Sequence, residues 1–147
     1  MSQETGNTAA EAEIRALLDS WQKAVTVGDL DATMAFYAPD IVAYDAILAL
    51  QFKGWDVYRK HWQACMEMAP QMNFRFQDIH IAAGNDVAFS HCLNRCGGVD
   101  KDGKENASWM RMTTGYRKIG GKWKIVHEHF SAPFEMETGK ALFDLQP

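Results

Sequence analysis

Apolar residues Ile14, Leu17, Leu18, Trp21 and Val25 recur every three or four positions, with Glu11, Glu13, Arg15, Asp19 and Lys23 on the opposite face. This spacing predicts an amphipathic helix of about five turns. Gly28 is placed to end it, because glycine adopts the backbone conformation that closes a helix. Asp29 then caps a second predicted helix, Leu30 to Tyr37, with Asp31 in the first turn where the helix dipole favours a carboxylate. Pro39 is expected to stop that helix. Ile41 to Asp45 is short and β-prone, and the apolar stretch Ala46 to Phe52 turns at Lys53-Gly54. A third helix is predicted from Trp55 to about Met68, with Tyr58, His61, Trp62 and Cys65 at spacings of three and four, and Pro70 closes it.

Beyond Pro70 the period changes from helical to alternating. Asn73 to Ala83 alternates through Phe74, Phe76, Ile79 and Ile81, and Gly84-Asn85-Asp86 reads as a turn. Val87 to Cys96 reads as a strand, and Gly97 to Gly103 as a long hairpin loop rich in turn residues. Trp109 to Ile119 and Lys122 to Ser131 follow as strands around Gly120-Gly121, and Pro133 ends the last one. Helices first and hairpins afterwards predict an α+β fold: three N-terminal helices packed in the concave face of a strongly curved antiparallel sheet. Residues 1–8 read as a disordered lead, 9–134 as one domain, and 135–147 as a C-terminal tail with little periodicity.

Composition narrows the classes of function. The chain has 147 residues, 47% hydrophobic and 23% charged, which suits one domain with a substantial core. The net charge is −4, without a basic cluster, so nucleic acid is not an expected partner. No apolar run approaches the ~20 residues of a membrane span, and the N-terminus lacks a signal-type apolar segment, so a cytoplasmic location without membrane contact is expected. Cys65, Cys92 and Cys96 form no C-x-x-C pair and read as reduced thiols. No P-loop, dinucleotide glycine pattern or nucleophile elbow occurs, so no cofactor is expected.

The inner face of a curved sheet that helices cannot fill is a natural ligand pocket. Trp21, Tyr37, Tyr44, Trp62, Phe89, Met110, Met112, Tyr116 and Phe130 are candidates for its wall, and aromatic walls with a few polar groups characterise small-molecule sites. The same residues would equally make a filled core.

Four stretches carry a family resemblance: Val27-Gly28-Asp29-Leu30-Asp31, Tyr37-Ala38-Pro39-Asp40-Ile41-Val42-Ala43-Tyr44-Asp45, Phe52-Lys53-Gly54, and Gly121 to Ser131. In order and spacing the chain resembles the SnoaL-like and ketosteroid-isomerase-like branch of the nuclear transport factor 2-like superfamily, from about Glu11 to Phe134. The resemblance implies a cone-shaped α+β barrel with a ligand pocket at its broad end, and a homodimer through the outer sheet face. It does not imply one activity, since this fold hosts enzymes and non-enzymes alike.

Carried over from the isomerase, Asp45 matches the carboxylate that moves a proton beside a carbonyl. It equally fits a capping or surface aspartate. The isomerase tyrosine donor falls on Trp21 and its aspartate donor on Thr113 or Thr114, so that enzyme's oxyanion site is not preserved and steroid isomerisation is not expected. The last strand has two possible parities. One face holds Trp123, Ile125, His127, His129 and Ser131, the other Lys124, Val126, Glu128 and Phe130. Comparison with the family turns the second face inward, pairing Glu128 with Asp45 and leaving the histidines at the dimer face. Hydrophobicity alone argues the reverse. His127-x-His129 has the spacing of a metal pair, but no third ligand is evident and no metal is expected. On the middle strand either His91 and Arg95 or Cys92 and Asn94 line the pocket. Asn94 stands where the kinase association domain carries an inward arginine, and Arg111 replaces that arginine if its parity is inward.

Two functions follow. One is cofactor-free acid–base catalysis of isomerase, hydratase or hydrolase type on a small apolar carbonyl or epoxide compound. Asp45 and Glu128 would act, and Trp21, Asn94 or Arg111 would orient the substrate. The other is a non-catalytic ligand-binding or dimerisation module.

Overall fold

The computed structural model describes residues 7–147. Of the expected lead, residues 1–6 lie outside the described residues. Thr8 already opens the first helix, α1 (Thr8–Thr26), whose N-terminus is capped by the Asn7 side chain accepting from Ala10 N at 3.0 Å. Its apolar stripe, Ile14, Leu17, Leu18, Trp21 and Val25, is buried. At its end Gly28 adopts φ 72°, Gly28 N donates to Val25 O and Asp29 N donates to Ala24 O. This pair of bonds is the Schellman closure, and it requires a residue that tolerates positive φ.

Asp29 is also the cap of α2 (Leu30–Met34), where its side chain accepts from Ala32 N at 3.0 Å. This helix is shorter than the periodicity predicts. It ends at Met34, and Tyr37, expected as its last residue, opens strand β1 (Tyr37–Tyr44). Pro39 therefore sits inside a strand rather than after a helix. It occupies an exposed irregularity, where β1 shifts register against its neighbour between Tyr37 and Val42, and proline's missing N–H does no harm there.

The remaining elements are β2 (Phe52–Lys53), α3 (Trp55–Met68), β3 (Gln71–Ala83), β4 (Val87–Val99), β5 (Glu105–Ile119) and β6 (Lys122–Ser131). The predicted Gly97–Gly103 loop is only partly a loop: Gly97, Gly98 and Val99 extend β4 and pair with Ala107, Asn106 and Glu105. Both glycines stand where neighbouring atoms come too close for a side chain. A Cβ on Gly97 would lie 2.8 Å from Ala107 Cβ, and one on Gly98 2.8 Å from Ala69 Cβ. These glycines serve close packing, not a turn.

The sheet has the order β2-β1-β6-β5-β4-β3 and remains open. It is mixed, not antiparallel as expected, because β1 runs parallel to β6. Hairpin-like connections join β3 through β6 in sequence, but β1 reaches β6 only through the rest of the chain, a pairing that no local pattern announces. Bulges bend the sheet. In β3, Gln77 pairs with Leu93 but His80 with His91, so Phe74 and Phe76 face inward before the bulge, and Ile79 and Ile81 after it. The helices lie in the resulting concavity, and Ile14, Leu18, Trp21, Met34, Tyr58, Ile125 and Met112 are among the core residues between the layers. No helix among the described residues is long and apolar enough to cross a membrane.

Candidate functional site

The two possible parities of β6 are both realised. In the register with β5, Tyr116 pairs with Ile125 while Gly115 pairs with His127, leaving Val126 as the extra residue of a bulge. Trp123 and Ile125 face inward before it, and Glu128 and Phe130 after it. Hydrophobicity and family comparison each described half of the strand. The bulge delivers a carboxylate to the centre of the core.

Glu128 is fully buried and surrounded by hydroxyls. Tyr37 Oη lies 2.9 Å from both carboxyl oxygens, and Tyr58 Oη lies 2.5 Å from Oε2. Trp21 Nε1 donates to Tyr37 Oη at 2.9 Å. The phenol of Tyr37 thus accepts from the indole and commits its own hydrogen to Glu128. Burial pushes the Glu128 carboxyl up to about 8, against the two tyrosine hydrogen bonds and with the aid of Asp45's charge. Burial and the same carboxylate hold both phenols well above their usual range, so the tyrosines act as neutral donors.

Tyr58 Oη also lies 3.4 Å from Asp45 Oδ2, so one hydroxyl bridges the two carboxylates. Asp45 follows β1 directly. Its Oδ1 accepts from Ile47 N at 3.2 Å, and its side chain is 11% exposed. On the other side, His61 Nε2 lies 3.3 Å from Asp45 Oδ2 and 3.7 Å from Cys65 Sγ. Burial pushes the His61 imidazole down, but the contacts with Asp45 and Cys65 outweigh it and raise it to about 9. At neutral pH His61 is an imidazolium paired with Asp45. Phe52 stacks on its ring, 4.1 Å between centroids.

Asp45 is the one carboxylate among the residues lining a cavity of about 260 Å³. The walls are otherwise mostly apolar, with Trp62, Met72, Phe74, Met110 and Phe130, Cys65 on α3, Cys96 on β4 and the amide of Asn106 on β5. Ile47 and Met68 stand among the lining residues with high exposure. Burial pushes the Cys96 thiol up to about 12.

Of the residues proposed from sequence, Asp45, Trp62 and Phe130 reach this cavity, as does Met110. Trp21, Tyr37, Asn94, Met112, Thr114 and Glu128 face inward but are packed behind the wall. Trp21 cannot serve as a free donor, because its N–H is spent on Tyr37. Asn94 is fully buried with neither amide atom hydrogen-bonded, and Thr114 Oγ1 and Trp62 Nε1 also lack partners. Of the two threonines, Thr114 is the inward one.

Three expectations are corrected. Tyr44, 41% exposed, lies on the outer face with its ring edge against His127 and His129. Phe89, 51% exposed, is also outside, beside His91. Arg111 is exposed on the same face, in register with Leu93 and Ser131, so it cannot replace the missing inward arginine. Phe89 and Arg111 follow from alternation once Ser90, Cys92, Asn94, Met110 and Met112 are buried, and Tyr44 from the burial of Ala43 beside it on β1. On β4, Cys92 and Asn94 are therefore the inward pair, and His91 and Arg95 point away. His127 and His129 lie outside, His127 Nδ1 being 2.7 Å from Val42 O. Among the described residues no three His, Cys, Asp or Glu side chains converge as a metal site.

Tyr58 and His61 were missed as site residues. The signal was present: the helical stripe Tyr58, His61, Trp62, Cys65 puts a phenol, an imidazole and a thiol on the inner face of α3, where apolar residues are expected.

The family model of the SnoaL-like domain matches residues 14–135. The chain belongs to the SnoaL-like family. A solved NTF2-like protein of unknown function from Pseudomonas putida KT2440 is 50% identical over 97% of this chain and 99% of its own, with a TM-score of 0.89. An NTF2-like superfamily protein from Salmonella enterica is 16% identical over 92% and 99%, TM-score 0.79. A protein from Novosphingobium aromaticivorans, provisionally assigned as a scytalone dehydratase, is 12% identical over 87% of both chains, TM-score 0.78. The last two establish the SnoaL-like chain's fold alone. No curated protein matches the chain.

Proposed function

We propose that this SnoaL-like protein catalyses cofactor-free proton transfer on a small, largely apolar carbonyl compound, with Asp45 as the base. The observation that carries this reading is Asp45 itself, the one carboxylate in a largely apolar cavity wall, paired behind with His61. In its ionised form Asp45 takes a proton from the carbon beside the carbonyl, and the C–H electrons form an enolate. Asp45 then returns that proton, either to the γ-carbon where the compound carries a β,γ double bond that shifts into conjugation, which is isomerisation, or to a β-hydroxyl oxygen that departs as water, which is dehydration. Both routes leave Asp45 ionised again. The enolate oxygen needs a donor. Trp21 is unavailable, and Trp62 Nε1, though on a lining residue, is itself buried away from the cavity; the amide of Asn106, which lines the cavity, is the donor the reading assigns. The dehydratase assignments of structural neighbours agree with the second route.

Hydrogen–deuterium exchange at the α-carbon tests the proposal without knowledge of the natural substrate. Small aromatic and alicyclic ketones that bind, as seen by ligand NMR, are expected to exchange in D2O with the wild type. Asp45→Asn is expected to lose that exchange by at least about a hundredfold. Bound ketones with equal or no exchange in both proteins would assign the cavity to binding alone. A homodimer through the outer face, where Phe89 and Tyr44 are exposed, belongs to the same reading. A monomer mass by light scattering at micromolar concentration would remove it.

A further inference from the structure

We propose that Asp45 and Glu128 form one proton-sharing unit linked by the Tyr58 hydroxyl, so that the buried Glu128, which does not line the cavity, sets the hydrogen-bonding state of the base that does. The inference rests on the reading of Asp45 as the base and deepens it with a positioning residue.

The geometry leaves one movable hydrogen. Tyr37 accepts from Trp21, so its own hydrogen is directed to Glu128 in every state. Tyr58 carries a single hydrogen but contacts both Glu128 Oε2, at 2.5 Å, and Asp45 Oδ2, at 3.4 Å. It can donate to only one of them. When Glu128 is ionised, Tyr58 donates to it, and Asp45 keeps its contacts with Ile47 N and His61 alone. When Glu128 is protonated, its O–H donates to Tyr58 Oη and the phenol hydrogen turns to Asp45. A proton can also pass the whole way. Glu128 releases one to Tyr58 Oη as Tyr58 releases its own to Asp45, so that one carboxyl gains what the other loses and no charge is left on the phenol.

The surroundings favour the exchange. Glu128 meets Tyr37 from β1, Tyr58 from α3, and Thr114 and Tyr116 from β5. Asp45 stands at the end of β1, and His61 beyond it on α3. None of the salt bridges among the described residues includes Glu128. The cation of the cluster sits on Asp45, so a proton is the mobile charge between the two carboxylates. Glu128, raised to about 8, is poised to change state near neutral pH.

Carbon-13 NMR of labelled Asp and Glu carboxyls between pH 5 and 10 reads this directly, whether or not turnover exists. The wild-type Asp45 signal is expected to step at the midpoint of the Glu128 titration. Glu128→Gln, whose amide imitates the protonated carboxyl, should abolish the step. Tyr58→Phe should abolish it while Glu128 still titrates. An Asp45 signal blind to Glu128 in the wild type would overturn the proposal. So would a step of full size in Tyr58→Phe, which would reduce the link to plain charge repulsion. Asp45→Asn, which leaves Tyr58 and Glu128 in place, should lower the Glu128 midpoint, and this checks the pair if Tyr58→Phe does not fold. The exchange assay separates the two readings. Coupled carboxyls without ketone exchange would keep the relay and end the catalytic reading, whereas exchange without coupling would do the opposite. With both intact, the exchange rate should change about tenfold across the step, the value of one hydrogen bond to a charged group, and stay flat in Glu128→Gln.

Discussion

Glu128→Gln should make the protein more stable, and increasingly so toward alkaline pH. The reason lies in linkage. Glu128 ionises near 4.5 in the unfolded chain and about 8 in the fold. Between those values the folded state holds a proton that the unfolded state has released. Stability therefore falls as pH rises through this window, is unaffected below it, and levels off above about 8. The full difference corresponds to about 5 kcal/mol, and relaxation around the buried charge reduces it, so about 2–5 kcal/mol is expected. His61 adds a decline of its own: its value is raised from 6.5 to about 9, so its contribution is complete below 6.5 and lost as pH rises through 9. That decline is common to both proteins and cancels in the comparison. Glutamine does not titrate, and it offers an oxygen to Tyr37 and an N–H to Tyr58. Urea unfolding at each unit from pH 5 to 9, with equal m-values, gives the two curves. The variant's advantage should grow across the series. A difference constant to within about 0.5 kcal/mol would refute the account of Glu128 as a carboxyl kept neutral by burial.

Three further outcomes follow from packing and burial. Asn94→Leu removes an amide with no hydrogen-bond partner and should stabilise by about 1–2 kcal/mol in thermal or urea unfolding; a loss of that size would mean the amide is satisfied by something it holds. Gly98→Ala should cost about 1–3 kcal/mol, since the new methyl meets Ala69 Cβ at 2.8 Å and Gln71 O at 3.1 Å, and an unchanged melting temperature would contradict the tight seam between α3 and β4. Cys92 and Cys96, both pushed up to about 12 by burial, should resist iodoacetamide at pH 8 in the native protein. Rapid labelling of either, read by peptide mass spectrometry, would count against their burial.

The helices were legible because each is a local statement. The stripe of α1, Gly28 at its end and the double duty of Asp29 are all set by residues within a few positions of one another. The inner face of β3 was legible from alternation, but the parity of β4 and β5 was not: Phe89, expected on the pocket wall, faces outward, as does Arg111. Asp45 was legible as a candidate only through the family resemblance. Its partners were not, because His61 and Tyr58 are neighbours of Asp45 in space alone and share no pattern with it in the chain.

The sequence by itself determined an α+β chain, its helix boundaries at α1 and α3, and the apolar stripes of α1 and β3, since propensity, capping and periodicity act over a few residues. Only the tertiary structure decided that β1 lies parallel to β6, that Val126 bulges so that Ile125 and Glu128 both turn inward, and that one tyrosine hydroxyl touches two carboxylates. These depend on contacts between segments as many as 91 residues apart, such as Tyr37 with Glu128. A buried carboxylate is tolerated only where the fold brings hydroxyls to it from other elements, and no local stretch of chain contains that information.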